Sequence, residues 1–418
     1  MKKYLLLFVI CNFCLLANDN YPAVYYDLKF SPYSGATNML SEVQYLDNLE
    51  NKAIEKFQKK PSSIDNIGEE VPKPVIEEKP LLDKIVLGFS RLTELSFFWA
   101  PLNDLLITTQ HEVFGHGYRI RDIGSKYAEV VSYHIDIPYP YGEGGGATYF
   151  EFSEDMPHYL AASIAAAGTE ATAILAHQLK STWLQNDAIN PRQSSLYLGS
   201  FHDLSVYIAS LSFIGHDSEG HDIAGYIEEI NNAYPNYDLR RRSLKRLAAL
   251  NYIDPLTYYS FYAQMRYIFT GKQAMHIPCI KIKNLKMLPN TRLSLAPYGP
   301  EIYLENYLLF SNKPAYTYIR TSYFNKSFLG LGYEDKNLIT TDFGNFGLRV
   351  DVWKQPDFFK AYPFNSENLF GFLGSVIYSK NLNNFNFFGN IGGKTAGFIP
   401  GRALDAACIF GIGCSGRF

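Results

Sequence analysis

Cysteine is scarce in this chain, with five in 418 residues, and two of them, Cys11 and Cys14, fall inside an apolar leader. Ile10 and Phe13 precede these two where a lipid-attachment motif wants a small residue, so a lipoprotein is not expected. The remaining three, Cys279, Cys408 and Cys414, are too few and odd in number for a disulfide scaffold. A small loop closed by Cys408 and Cys414 and a pair of free thiols both fit the sequence. An excess of charge of either sign is also missing, since 38 Lys and Arg face 41 Asp and Glu for a net charge of -3. Such a balance sets up no field that would gather nucleic acid, and no nucleic-acid partner is expected. Tryptophan and methionine are sparse, whereas the chain holds 32 Tyr and 30 Phe, dense after residue 290. That density suits a membrane β-barrel or an aromatic-rich sandwich.

Residues 1–17 carry two lysines, an apolar run from Tyr4 to Leu16 and a small residue at Ala17, the order of a secretory signal peptide. The protein is therefore expected to be exported, to a bacterial periplasm or outer membrane. Residues 18–80 read as an N-terminal segment lying along another domain, followed from Asn51 by a charged, Pro-rich linker with little to bury. Residues 81–285 then read as helical and residues 286–418 as antiparallel strands, because the apolar period switches to two after Leu288. The clearest strands are Ala315 to Phe324, Phe346 to Trp353 and Phe370 to Tyr378, among seven or eight such segments. They should form a sheet that is closed or nearly so. Gly413 to Arg417 is expected to break the last alternation before the terminal Phe418.

The chemistry concentrates in Gln110 to Tyr118, QHEVFGHGY. Zinc hydrolases place two His on one helix face with a Glu beside the first, so that the His bind the cation and the Glu takes a proton from water. Here the interval between His111 and His116 is one residue longer than in H-E-x-x-H. On a regular helix that interval turns the second ring about 140° from the first. A wide π-turn would bring the rings back together, and Gly115 would ease the distortion.

The six residues His111 to His116 resemble the H-E-L-L-G-H motif of the dipeptidyl peptidase III family of zinc peptidases, which uses the longer spacing. The resemblance implies a third ligand, a Glu on a later helix, and Glu170 within Gly168-Thr169-Glu170-Ala171 is the matching candidate. Thr169 and Ile174 depart from that family's second motif, so the resemblance covers one motif and one spacing.

The residues around Glu170 give their own reason to single it out. It sits in an almost entirely small stretch, Ala161 to Ala171, of a helix expected to start at a Ser153 cap and run to about Trp183. A carboxylate there is costly unless something pairs with it. Tyr159 to Leu179 is also long enough to span a membrane, but its Ala content favours a buried helix. Ser195 to Gly215 and Tyr252 to Thr270 read as two further helices. Gly145, Gly146 and Thr148 open a strand that could align a peptide beside the motif helix. The pairs His202-Asp203, His216-Asp217 and His221-Asp222 match no named ligand set; His216 or His221 could stabilise an oxyanion, and Asp217 or Ser218 could cap a helix.

These readings combine into an α+β chain: a mainly helical, zincin-like metalloprotease domain followed by an antiparallel, aromatic-rich β domain, either a small outer-membrane β-barrel or a substrate-binding sheet. The expected activity is Zn²⁺-dependent hydrolysis of a peptide or protein substrate, with His111, His116 and Glu170 as ligands and Glu112 as catalytic base. Membrane association is expected. Two other classes fit the same residues: an envelope interaction protein without activity, and a membrane-embedded zinc protease.

Overall fold

The computed structural model describes residues 21–58, 80–214, 220–311, 313–324, 328–359 and 368–416. The leader and most of the linker therefore lie outside the described residues. The chain enters as strand β1 (Tyr21–Asp27) and helix α1 (Pro32–Gln58). Asn51 to Gln58, expected to be linker, is the end of that helix. Ala36, Met39, Leu40 and Val43 recur at helical spacing and form the face that α1 buries in the core.

From Leu81 to Ile123 one long rod carries α2 (Leu81–Glu94), α3 (Ala100–His111) and α4 (Gly117–Ile123), joined by wide π-turns at Leu95–Trp99 and Glu112–His116. Pro101, which would break a regular helix, is absorbed by the first of these turns. Proline has no N–H to give the carbonyl four residues back. The Tyr141 hydroxyl supplies the missing donor, at 2.7 Å from the Phe97 carbonyl oxygen. A two-stranded hairpin follows, β2 (Ala128–Ile135) with β3 (Gly146–Phe152).

Helix α5 (His158–Asn186) starts four residues later than the Ser153 cap implied, because Pro157 holds the preceding backbone extended. Most of its residues are buried, so although it is long and apolar enough to cross a membrane, it is enclosed by protein here. Then come α6 (Ser194–Ile214), α7 (Asp222–Ala233), α8 (Arg241–Ala248) and α9 (Pro255–Thr270). The last is set by Asp254, whose carboxylate accepts from the Thr257 N–H, and by Gly271 at φ 73.

The strands β4 (Ile280–Ile282), β5 (Leu285–Ala296), β6 (Gly299–Phe310), β7 (Lys313–Ser322), β8 (Leu329–Thr341), β9 (Gly344–Pro356), β10 (Asn368–Leu382), β11 (Phe385–Lys394) and β12 (Ala407–Gly416) form one antiparallel sheet with β1. Its order is β1-β12-β11-β10-β9-β8-β7-β6-β5-β4. Contrary to the barrel expectation, the sheet is not closed: among the described residues β1 and β4 are edges that do not pair. β12 also continues through Gly413 to Gly416. Gly413 is needed rather than disruptive, since a Cβ there would lie 2.5 Å from the Phe388 ring.

The helical and β segments do not have separate interiors. One buried cluster joins Trp99, Leu175, Trp183 and Leu256 of the helices to Leu288 and Tyr307 of the sheet. A second joins Leu160, Leu204 and Tyr226 to Leu295, Tyr298 and Phe398. The fold is α+β, with α5 lodged between the motif rod and one face of the sheet.

Candidate metal centre

The second wide turn decides the geometry. Across Glu112–His116 the backbone takes one extra residue, and the Gly117 N–H reaches back to the Glu112 carbonyl, five residues earlier. The rings of His111 and His116 consequently face each other with centroids 4.9 Å apart, which the regular helix would have prevented. The turn is sheltered by α5. A Cβ on Gly115 would lie 2.7 Å from the Ala167 carbonyl oxygen and from the Gly168 Cα, and one on Gly168 would lie 2.2 Å from His111 Nε2. The stretch of small residues in α5 is the space that the motif occupies.

His111 is 3% exposed and His116 6%. His111 donates its Nδ1–H to Asp203 at 2.9 Å, and Asp203 is itself held by the Thr172 hydroxyl at 2.8 Å. His116 donates its Nδ1–H to the Ile164 carbonyl at 2.8 Å. Both rings are thereby fixed with Nε2 turned to a common point, the orientation that metal-ligating His take from an outer shell. Tyr207 stacks on His111 at 5.0 Å and 15°, holding the ring plane.

The common point is completed by Asp222, the first residue of α7. Its Oδ2 lies 3.0 Å from His111 Nε2 and 3.2 Å from His116 Nε2, and the three donor atoms lie within 4.8 Å of one another. Burial alone would lower the pKa of His111, but the charge of Asp203 and the bonds to Asp203 and Asp222 bring it well above the ordinary imidazole value. Burial would raise Asp222, but His116 and His111 hold it far below the usual carboxylate range. The pocket thus carries negative potential that positive charge relieves. Two imidazoles and a carboxylate are a donor set suited to Zn²⁺ with a coordination position left over.

Glu112, the expected base, is 5% exposed, and its Oε2 accepts from the Thr148 hydroxyl at 2.7 Å. Thr148 also bonds the Glu112 carbonyl at 3.1 Å. Gly146 lets β3 approach this close, since a Cβ there would meet Glu112 Cγ at 3.0 Å. Gly145, at φ 89, makes the turn into the strand and faces open space.

Glu170, expected as the third ligand, is placed otherwise. Its carboxylate accepts from Arg119 Nη2 at 3.0 and 3.3 Å and from the Gly401 N–H. The argument that a buried carboxylate needs a cation holds, but Arg119, three residues past His116 on the same rod, is that cation. His221 likewise lies away from the ligand point: Nδ1 accepts from the Ile223 N–H at 3.2 Å as the cap of α7, and Nε2 bonds Ser210 at 3.0 Å. His202 turns to Thr257 at 2.8 Å. His216, Asp217 and Ser218 fall outside the described residues. In both described His-Asp pairs it is the acid that reaches the centre, as adjacent residues point to different sides. The two clustered pairs were the available signal for Asp203 and Asp222.

Searches with protein-family models, against curated proteins and against solved structures give no match to this chain.

Proposed function

We propose that this protein is a zinc-dependent hydrolase acting on peptide bonds, with His111, His116 and Asp222 as metal ligands and Glu112 as general base. The observation that carries the reading is the convergence of three donor atoms, two from buried imidazoles at the wide helical turn and one from a half-buried carboxylate at a helix N-terminus, within 4.8 Å. The turn also carries Glu112, the residue type that the two-His zinc hydrolases use beside the first ligand. His111 and His116 are kept from the ligand set expected from sequence, and Asp222, which was not in that set, replaces Glu170.

Bound zinc would supply a Lewis acid and a water of lowered pKa. The protein's own groups then have distinct tasks. Asp203 and the Ile164 carbonyl fix the two imidazole tautomers, keeping Nε2 unprotonated toward the cation. Glu112 accepts the water proton and returns it to the leaving amine, while Thr148 holds its carboxylate in place. A peptide substrate is supported by β3: among the described residues it pairs only with β2, so its other edge can take an extended chain by main-chain hydrogen bonds.

The test is elemental analysis of purified full-length protein beside Asp222→Ala and Glu170→Gln. About one zinc per chain is expected in the wild type, the stoichiometry of one catalytic site. Zinc should be lost in Asp222→Ala and kept in folded Glu170→Gln. A folded wild-type protein that takes up no zinc would sink the hydrolase reading, and loss from Glu170→Gln alone would restore Glu170 as ligand.

A further inference from the structure

The sheet is inside out for a protein surrounded by water. Facing α5 it carries charge: Glu301, Glu305, Arg320, Arg349 and Asp351 are all buried. Arg320 pairs with Glu301 at 3.1 Å and Arg349 with Asp351 at 2.8 Å. A water-exposed antiparallel sheet alternates the other way, apolar inside and polar outside.

The outward positions are apolar from strand to strand. β10 turns Phe370, Phe372 and Val376 outward, all exposed, and its register places Phe372 opposite Val352 and Val376 opposite Ile391. Ile319, Leu304, Phe410 and Ile412 continue the face on other strands. Among the described residues of β9 and β10, charge on this face returns toward the strand ends. Along β10 the outward face is bounded by Lys354, which pairs with Phe370 and lies 5.7 Å over its ring, and by Lys380. Ten residue steps separate these levels, about 33 Å along a strand and about 23 Å once the strand is tilted by roughly 45°. That is close to the height of the apolar band on membrane strands, about 25 Å, with lysines where water and headgroups begin.

The apolar surface does not stop at the sheet. Helix α2 buries none of its residues and exposes Leu82, Ile85, Val86 and Phe89, while α9, packed against it, exposes Phe261, Tyr262, Met265 and Phe269. Exposed apolar side chains in this number are out of place in water.

We propose that the outward face of the ten-stranded sheet, extended by α2 and α9, contacts the hydrocarbon of a lipid bilayer, with Lys354 and Lys380 at its two rims. The sheet then turns its apolar face to lipid and holds α5, and the metal-binding turn packed on it, on its other, polar side. This inference stands on the sheet's polarity and does not depend on the hydrolase reading.

The test uses full-length protein reconstituted into phosphatidylcholine vesicles whose acyl chains carry bromine. The three native tryptophans, Trp99, Trp183 and Trp353, are 0%, 1% and 3% exposed and point inward. Phe372→Trp and Phe410→Trp would each place an indole at an outward position without changing class. The wild type should float with the vesicles and lose little fluorescence. Each variant should lose more than half of its added signal to the bromines. Protein that stays in the aqueous fraction, or added tryptophans that the bromines leave bright, would overturn the proposal. So would a detergent-free dimer with unquenched tryptophans, which would assign the face to a second copy.

Discussion

Gly168→Ala separates a helix argument from a site argument. By propensity alone the change should help, since glycine within a helix costs about 1 kcal/mol relative to alanine. The structure reverses that expectation. The new Cβ would lie 2.2, 2.4 and 2.5 Å from Nε2, Cδ2 and Cε1 of His111, so the ring must move by roughly 1 Å to reach ordinary contact. Overpacking of this kind costs about 1 to 3 kcal/mol, leaving a net loss of about 0 to 2 kcal/mol, too little to unfold the protein. The ring, however, also holds Asp203 and faces Asp222, and a displaced first ligand should weaken zinc about 10- to 100-fold. Competition against a chelator of known affinity would measure the second quantity, and denaturant unfolding the first. A Gly168→Ala protein that is more stable and binds zinc as tightly as the wild type would refute the packing of His111 over α5.

Glu112→Gln should keep zinc and lose peptide hydrolysis by at least about 100-fold, the usual range for a general base, measured on a peptide that the wild type cleaves. Arg119→Met should destabilise the protein by about 3 to 5 kcal/mol by leaving Glu170 buried and uncompensated, while the folded fraction retains its zinc. A metal-free but stable Arg119→Met protein would contradict the separation of the two sites. His177 is held by burial at about 4, below its ordinary value, among Glu334, Glu305, Lys336 and Arg349 and bonded to Tyr307 at 2.9 Å. The unfolded chain takes up its proton below about pH 6.5 and the folded chain only below about 4, so stability should fall as pH drops through that window, by on the order of 3 kcal/mol. Unfolding midpoints at pH 7 and pH 4 for wild type and His177→Gln would check this; equal slopes would remove His177 as the cause.

The motif and its distortion could be read from the residues because they are local: two His, one interval too long for a regular helix, and a glycine at the bend. The small stretch of α5 and the alternation of the strands after Leu288 are equally local signals. The partners that complete the centre are not. Asp203 and Asp222 reach His111 from α6 and α7, and nothing in a single chain says which acid folds onto which ring. Glu170 shows the converse, for burial correctly demanded a cation and could not distinguish zinc from Arg119. Helix α1 was not foreseen: Ala36, Met39, Leu40 and Val43 recur at helical spacing, but the Pro, Ser, Gly and Asn among them favour turns, and tertiary packing overrides that preference.

The wide turn at Glu112–His116 also fixes the phase of everything after it. Excising one residue to obtain the commoner H-E-x-x-H spacing would rotate the following rod by about 100°. Arg119 would swing off Glu170, and Gly117, where a Cβ would lie 2.2 Å from the Tyr133 hydroxyl, would hand that tight place to another side chain. Two unrelated contacts are thus keyed to one supernumerary residue. A single deletion to the shorter form would therefore leave a stranded charge and a clash at once.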